Sequence, residues 1–167
     1  MNQAPDLGQV LSAAPPLFLD TSALLRAYLV KDPFFALMQR AILDAPRVVV
    51  SGLAHPEFTA ALMQRQHRDH SGRLSAAQVT RLLADFHRDW ETFEVVSVDD
   101  GALQDASALV IRQAALGLRA MDAVHLVGAQ LAALAFDGIE FLTFDDRQRW
   151  AAEAEGLPLY APPAQED

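Results

Sequence analysis

The sequence predicts an α/β protein, a three-layer α/β/α sandwich with a central, mainly parallel sheet, and three observations carry that expectation. Short apolar runs recur along the chain, each is followed by Asp, Ser or Gly, and segments with helical spacing separate one run from the next. Strands that alternate with helices in this way pair in parallel through right-handed crossovers.

The first run is PLFL, residues 16–19, followed by helical spacing over 21–30 and 34–44. The second, RVVV at 47–50, precedes helical segments over 52–69 and 75–90. FEVVSV at 93–98 leads into helices over 101–116 and 120–135, and EFLTF at 140–144 into a short one over 146–155. Continuous apolar runs of this length suit strands buried on both faces. The punctuation agrees. Ser51 stands where the helix after the second strand needs an N-cap, Ser75 offers another after the loop DHSGRLS, and Gly117 lies where one helix stops and the next begins.

At 167 residues the chain is long enough to bury one substantial core without disulfides or a structural metal. Its 51% hydrophobic and 21% charged residues are those of a globular protein, and the absence of Cys excludes disulfides, thiolate metal sites and a Cys nucleophile. The start MNQAPDLGQVLSAAPP has no basic leading region, and no run of about 18 apolar residues follows, so a soluble, unexported, cytoplasmic protein is expected. Residues 1–15 and 161–167 read as a flexible extension and tail around a single domain over 16–160. A formal charge of −9 argues against a general basic coat for nucleic acid. It leaves a nuclease open, because acidic clusters that bind divalent cations bring negative charge of their own. Between Leu62 and Trp90 the balance reverses, with Arg65, Arg68, Arg73, Arg81 and Arg88 against Asp69, Asp85 and Asp89. That stretch is either a solvated helix face or a contact surface.

Four acids stand out. Asp20 follows the first strand directly, where functional groups collect in open parallel sheets. It would equally serve as the N-cap of the next helix, with Thr21 or Ser22 completing the turn. Asp145 holds the same place after the last strand, with Asp146 beside it, and the same two readings apply. Glu57 falls near the start of the helix after the second strand, amid Phe58, Ala61 and Leu62, where a solvent-facing first-turn acid is the plain alternative. Asp122 lies in the very apolar segment LGLRAMDAVHLVGAQLAAL and would share a buried face with Leu118, His125, Leu126 and Ala129. A buried carboxylate needs a cation or several donors opposite it, and His125 is one candidate partner.

The segments FLDTSALLRAYL, SGLAHPEFTAALMQR, RAMDAVHLVGA and FLTFDDR resemble the four successive motifs of PIN domains, in particular those of VapC-like toxin ribonucleases, over about Leu17 to Leu159. Each is weak alone; four in order are specific. The resemblance implies a PIN-like fold, a metal-dependent ribonuclease, a cognate antitoxin and a homodimer. It places the family's acids on Asp20, Glu57, Asp122 and Asp145, and its small hydroxyl residues on Ser22 and Thr143. His125 matches a histidine that supports a ligand rather than holding the ion. The position after the fourth acid, commonly basic in such proteins, is Asp146 here, with Arg147 one residue later.

Several carboxylates at one spot cannot all ionise without a counter-charge, and an all-oxygen set suits Mg²⁺ or Mn²⁺. On this reading Asp20, Asp122 and Asp145 bind the ion, Glu57 binds it or orients the attacking water, and Ser22 and Thr143 hydrogen-bond to ligands or substrate. Arg65, Arg68 and Arg147 are candidate RNA contacts. Two other enzyme classes fit less well. A phosphatase with Asp20 as nucleophile needs a second Asp where Ser22 stands, and a receiver-like domain needs a late strand-borne Lys. A non-catalytic PIN-like binding or assembly module is the main alternative, and it predicts loss of one or more of the acids.

Overall fold

The structure is a computed structural model describing residues 14–67 and 72–162. Arg68, most of the expected extension 1–15 and most of the expected tail 161–167 lie outside the described residues.

Four parallel strands form the sheet: β1 (Leu17–Leu19), β2 (Val48–Ser51), β3 (Glu94–Val96) and β4 (Glu140–Leu142), in the order β3-β2-β1-β4. Among the described residues seven α-helices connect and cover them: α1 (Thr21–Arg26), α2 (Phe35–Asp44), α3 (Ala54–Gln66), α4 (Ala76–Trp90), α5 (Asp100–Arg112), α6 (Ala120–Ala135) and α7 (Asp146–Ala154). Successive residues of a strand point to opposite faces, so the central strands divide their apolar side chains between two cores. Leu17, Leu19, Val48, Val50 and Leu142 pack with α1 to α4, centred on Phe58 stacked against Phe86 at 4.0 Å. Phe18, Val49 and Phe141 pack with α5 to α7 on the other face. The expected three layers are present.

β1 and β2 are buried throughout, but β3 is an edge strand with Val95 43% exposed, so the expectation of burial on both faces fails there. The outer edge of β4 is instead covered by the chain end, where Phe141 donates its N–H to the Pro158 carbonyl and accepts from Tyr160.

Local chemistry explains most boundaries. Ser75 caps α4 in a full capping box with Gln78. Gly117, at φ 65°, ends the short 3₁₀ turn Ala114–Leu116 in the left-handed region, and so divides the expected 101–116 helix from α6. The expected helix over 21–30 stops at Arg26, because Asp32 draws the chain into turns by accepting from the Arg26 guanidinium and from the Phe34 N–H. Ser51 ends β2 rather than capping α3; its hydroxyl accepts from the Leu53 N–H while Leu53 occupies the N-cap. Gly128 lets α6 lie close on the sheet, since a Cβ there would stand 3.0 Å from Phe18 Cζ.

The connections out of β1 and β2 run over the α1–α4 face, and the connection from β3 to β4 crosses the other face. Neighbouring β1 and β4 therefore send their next helices to opposite sides, and the crevice beyond their carboxyl ends is the topological switch point of the sheet.

Candidate active site

A pocket of about 320 Å³ opens at that switch point, lined by Asp20, Thr21, Ser22, Glu57, Ala60, Ala61, Gln64, Asp122, His125, Asp145 and Gln148. All four sequence-identified acids meet there, each from a different element.

Asp20 bridges the end of β1 and the start of α1 and is 3% exposed. Its Oδ1 accepts from the Ala23 N–H at 2.8 Å and the Ser22 hydroxyl at 2.9 Å, and its Oδ2 from Thr143 Oγ1 at 2.9 Å. Both readings of Asp20 therefore hold, since one carboxylate caps α1 and faces the pocket. Burial pushes its pKa up, and the Ala23 N–H, His125, Ser22 and Thr143 offset that only in part. Asp145 is likewise both cap and pocket residue. Its Oδ1 accepts from the N–H groups of Arg147 and Gln148 at the start of α7. Asp146 is exposed and paired with Arg149, which settles which acid of the doublet faces inward.

Asp122 is half-buried and occupies the third position of α6, where the helix dipole favours a carboxylate, rather than a fully buried helix interior. Its Oδ2 accepts from the Arg119 N–H at 3.4 Å. Burial first, and then the charge of Asp145, raise its pKa. His125 is buried but does not pair with Asp122. Its Nε2 lies 2.7 Å from Glu57 Oε2 and 3.1 Å from Thr21 Oγ1, and the Thr21 hydroxyl also donates to the same Glu57 oxygen. Burial opposes the charge on Glu57, but these two hydrogen bonds and His125 outweigh it and hold the carboxyl below its usual range. With Nε2 shared between two oxygens, Nδ1 is buried without a partner among the described residues.

Two residues not singled out as site residues from the sequence belong to this cluster. Thr21 holds Glu57. Gln148, 2% exposed, places Oε1 2.9 Å from Thr143 Oγ1 and Nε2 3.4 Å from Asp122 Oδ1. Its position three residues after Asp145, on the same helix face, is the signal that could have found it. Thr143 sits beneath Asp20, and Ser22 also accepts from the Phe144 N–H at 3.0 Å. Arg147 is in the first turn of α7 but does not line the pocket, whereas Arg65, next to the pocket residue Gln64, lines a second groove.

The donor set fits a hard divalent cation: four carboxylates and no sulfur, with Asp122 and Asp145 in a like-charge conflict that such an ion relieves. As the side chains stand, no three His, Asp or Glu groups among the described residues are gathered tightly enough to hold an ion, and Glu57 is turned onto Thr21 and His125.

Among curated proteins, the chain is 30% identical over 135 residues to Ribonuclease VapC46 of Mycobacterium tuberculosis, a match covering 75% of this chain and 99% of that protein. Among solved structures it is similar to VapC20 of M. tuberculosis, described as a sarcin–ricin loop cleaving toxin, with a TM-score of 0.65, 18% identity, and coverage of 87% of this chain and 99% of that one. That likeness bears on the fold, which the strand order and the two helical layers had already defined. The family model of the PIN domain matches residues 17–154, a span that holds all four acids and every strand, and the chain belongs to the PIN domain family.

Proposed function

We propose that this chain is a metal-dependent endoribonuclease acting in the cytoplasm as the toxin of a toxin–antitoxin pair. The observation that carries the reading is the convergence of Asp20, Glu57, Asp122 and Asp145, from four separate elements, on one pocket at the switch point of the sheet. Holding Asp20 desolvated and Asp122 beside Asp145 costs stability that an assembly module has no use for. The name of the curated relative supports ribonuclease chemistry, and the four motifs support the toxin role.

Asp20, Asp122 and Asp145 would hold Mg²⁺ or Mn²⁺, with Glu57 as a further contact. When bound, the ion supplies positive charge that polarises the scissile phosphodiester, acidifies water and steadies the leaving oxygen. The chain's own residues supply the geometry. Ala23 N–H, Ser22 and Thr143 fix Asp20, so it needs no reorganisation during turnover. Thr21 and His125 keep Glu57 ionised, so it can orient the attacking water and take its proton. Arg65 and Arg147 would contact RNA phosphates outside the pocket, and Arg68, the third candidate, lies outside the described residues. The test is cleavage of labelled RNA by purified protein with Mg²⁺, with Mn²⁺ and with chelator. Activity should need the ion and vanish in Asp20→Asn and Asp122→Asn; cleavage by both variants at the wild-type rate would overturn the site.

The antitoxin would occupy the groove of about 930 Å³ between the α1–α2 connection and α4, with Tyr28, Leu29 and Phe35 on one wall and Leu74 and Leu82 on the other. Leu25, in the core, and Phe34, packed on Phe144, do not line this groove. An Arg offered by such a segment would pair bidentately with the acids. Co-expression with the product of the adjacent small open reading frame should relieve growth inhibition and yield a co-purifying complex. The homodimer is part of the same reading, and light scattering of the free protein tests it.

A further inference from the structure

We infer that Gln148 is a positioning residue that sets the spacing of three of the four acids; the inference rests on the metal-site reading above. The side chain is 2% exposed and lies between two parts of the site that share no sequence neighbourhood. On one side its Oε1 meets Thr143 Oγ1 at 2.9 Å, and the same Thr143 oxygen lies 2.9 Å from Asp20 Oδ2. On the other its Nε2 approaches Asp122 Oδ1 at 3.4 Å. Its backbone N–H donates to Asp145 Oδ1 at 3.2 Å. One residue of α7 thus touches Asp122 and Asp145 directly and reaches Asp20 through a single hydroxyl.

The proton inventory shows what this connection does. Thr143 Oγ1 accepts from the Asp145 N–H at 3.0 Å and has one proton of its own, with two acceptors, Asp20 Oδ2 and Gln148 Oε1, at equal distance. While Asp20 takes that proton, Gln148 Oε1 goes without. When Asp20 Oδ2 turns its lone pair to a cation, the Thr143 proton swings to Gln148 and no buried group is left unpaired. Gln148 therefore provides an alternative acceptor that frees an Asp20 oxygen for the ion. Its amide N–H meanwhile approaches Asp122 Oδ1 at 3.4 Å and so orients that carboxylate. An apolar residue of the same length would fill the space equally well and do neither.

The test compares Mn²⁺ binding by isothermal titration calorimetry, without RNA, in wild type, Asp20→Asn, Gln148→Met, Thr143→Val and the Gln148→Met/Thr143→Val double variant. Thermal melting in chelator reports the fold separately. Gln148→Met should melt within a few degrees of wild type, since Thr143 keeps Asp20 as its acceptor. Its Mn²⁺ dissociation constant should rise about tenfold or more, the usual cost of losing a group that orients metal ligands. In the double variant the two losses should be less than additive, because both act through the same hydroxyl. A folded Gln148→Met with an affinity within twofold of wild type would overturn the inference, as would full additivity. If it does not fold, Gln148→Asn, which keeps the amide but is too short to span both partners, should show the same loss. Failure of both to fold would assign Gln148 to the core instead and equally overturn it. Failure of the metal-site reading would look different: wild type itself would bind no Mn²⁺, or Asp20→Asn would bind it as tightly.

Discussion

Asp20→Asn should stabilise the ion-free protein while removing its response to Mg²⁺. Asp20 is 3% exposed and accepts three hydrogen bonds of 2.8 to 2.9 Å. An Asn in its place keeps the two at Oδ1, from Ala23 and Ser22. Its Nδ2 would donate to Thr143 Oγ1, whose proton then turns to Gln148 Oε1, 2.9 Å away. Every bond survives, and each only loses its charge assistance, about 1 kcal/mol apiece. Against this stands the relief of a buried charge, which costs several kcal/mol. The raised pKa of Asp20 says that burial is the larger effect. A net gain of about 1–2 kcal/mol is expected, at about 2–4 °C of melting temperature per kcal/mol for a chain of this size. The pH dependence fixes the sign. A carboxyl whose folded pKa lies above its ordinary 3.8 binds its proton more tightly when folded, so stability falls as pH rises from that value through the folded pKa. The advantage of the Asn variant in chelator should therefore be absent below about pH 3.8 and grow as pH rises through the folded pKa. Saturating Mg²⁺, at about 100 times its Kd, should add about 2.7 kcal/mol to wild type and little to the variant. A variant that melts below wild type at pH 8 in chelator, or gains as much from Mg²⁺, refutes the reasoning.

Other residues carry expectations of different sign. Glu57→Gln should destabilise by about 1–2 kcal/mol at neutral pH, because its lowered pKa contributes stability that is present above the ordinary 4.5 and lost as pH falls through the folded value; chelator melts from pH 3 to 7 should show wild type and variant converging at the acid end. Gly128→Ala sets about 1 kcal/mol of helix propensity against a Cβ 3.0 Å from the fully buried Phe18 ring, and overpacking should win by about 1 kcal/mol in urea unfolding; a more stable variant would mean that the ring yields. Phe86→Ala should cost about 3–5 kcal/mol in the same assay, since Phe86 is fully buried and stacks on Phe58 at 4.0 Å.

The strands and helices were legible because their signals are local. Three or four apolar residues in a row mark a strand, and Ser75 with Gln78 marks a helix start whatever surrounds it. The four acids were legible for a related reason, since Asp20 directly follows β1 and Asp145 follows β4 after Thr143 and Phe144, and strand ends in a parallel sheet share one side. The exposure of β3 was not, because FEVVSV carries nothing that distinguishes an edge from a centre; that depends on the strand order. The partner of His125 was hidden for the same reason. Asp122 stands one helical turn away on the same helix, whereas Glu57 is brought to it only when α3 and α6 converge on the pocket. Arg26 and Asp32 ended a helix early through a contact that no propensity encodes.

Capping and chemistry are often treated as rival explanations of an acid after a strand, and this site shows why they coincide. A cap fixes a carboxylate through backbone N–H groups, so its position follows from the main chain rather than from a mobile rotamer. Asp20 and Asp145 are both held this way, and they stand at the ends of the adjacent strands β1 and β4. Their helices leave towards opposite faces, so the crevice between them is left open. Each capped carboxylate spends part of its acceptor capacity on the helix, two donors on one oxygen of Asp20 and two on one oxygen of Asp145, and the second oxygen is bound less heavily. Asp122 differs, because only an N–H at 3.4 Å and the Gln148 amide restrain it, and it faces the like charge of Asp145. The two capped acids thus form the rigid half of the site, Glu57 is held by Thr21 and His125, and Asp122 is the least restrained of the four. On the proposed metal-site reading, an ion would meet Asp20 and Asp145 already placed by their caps and Asp122 free to turn towards it.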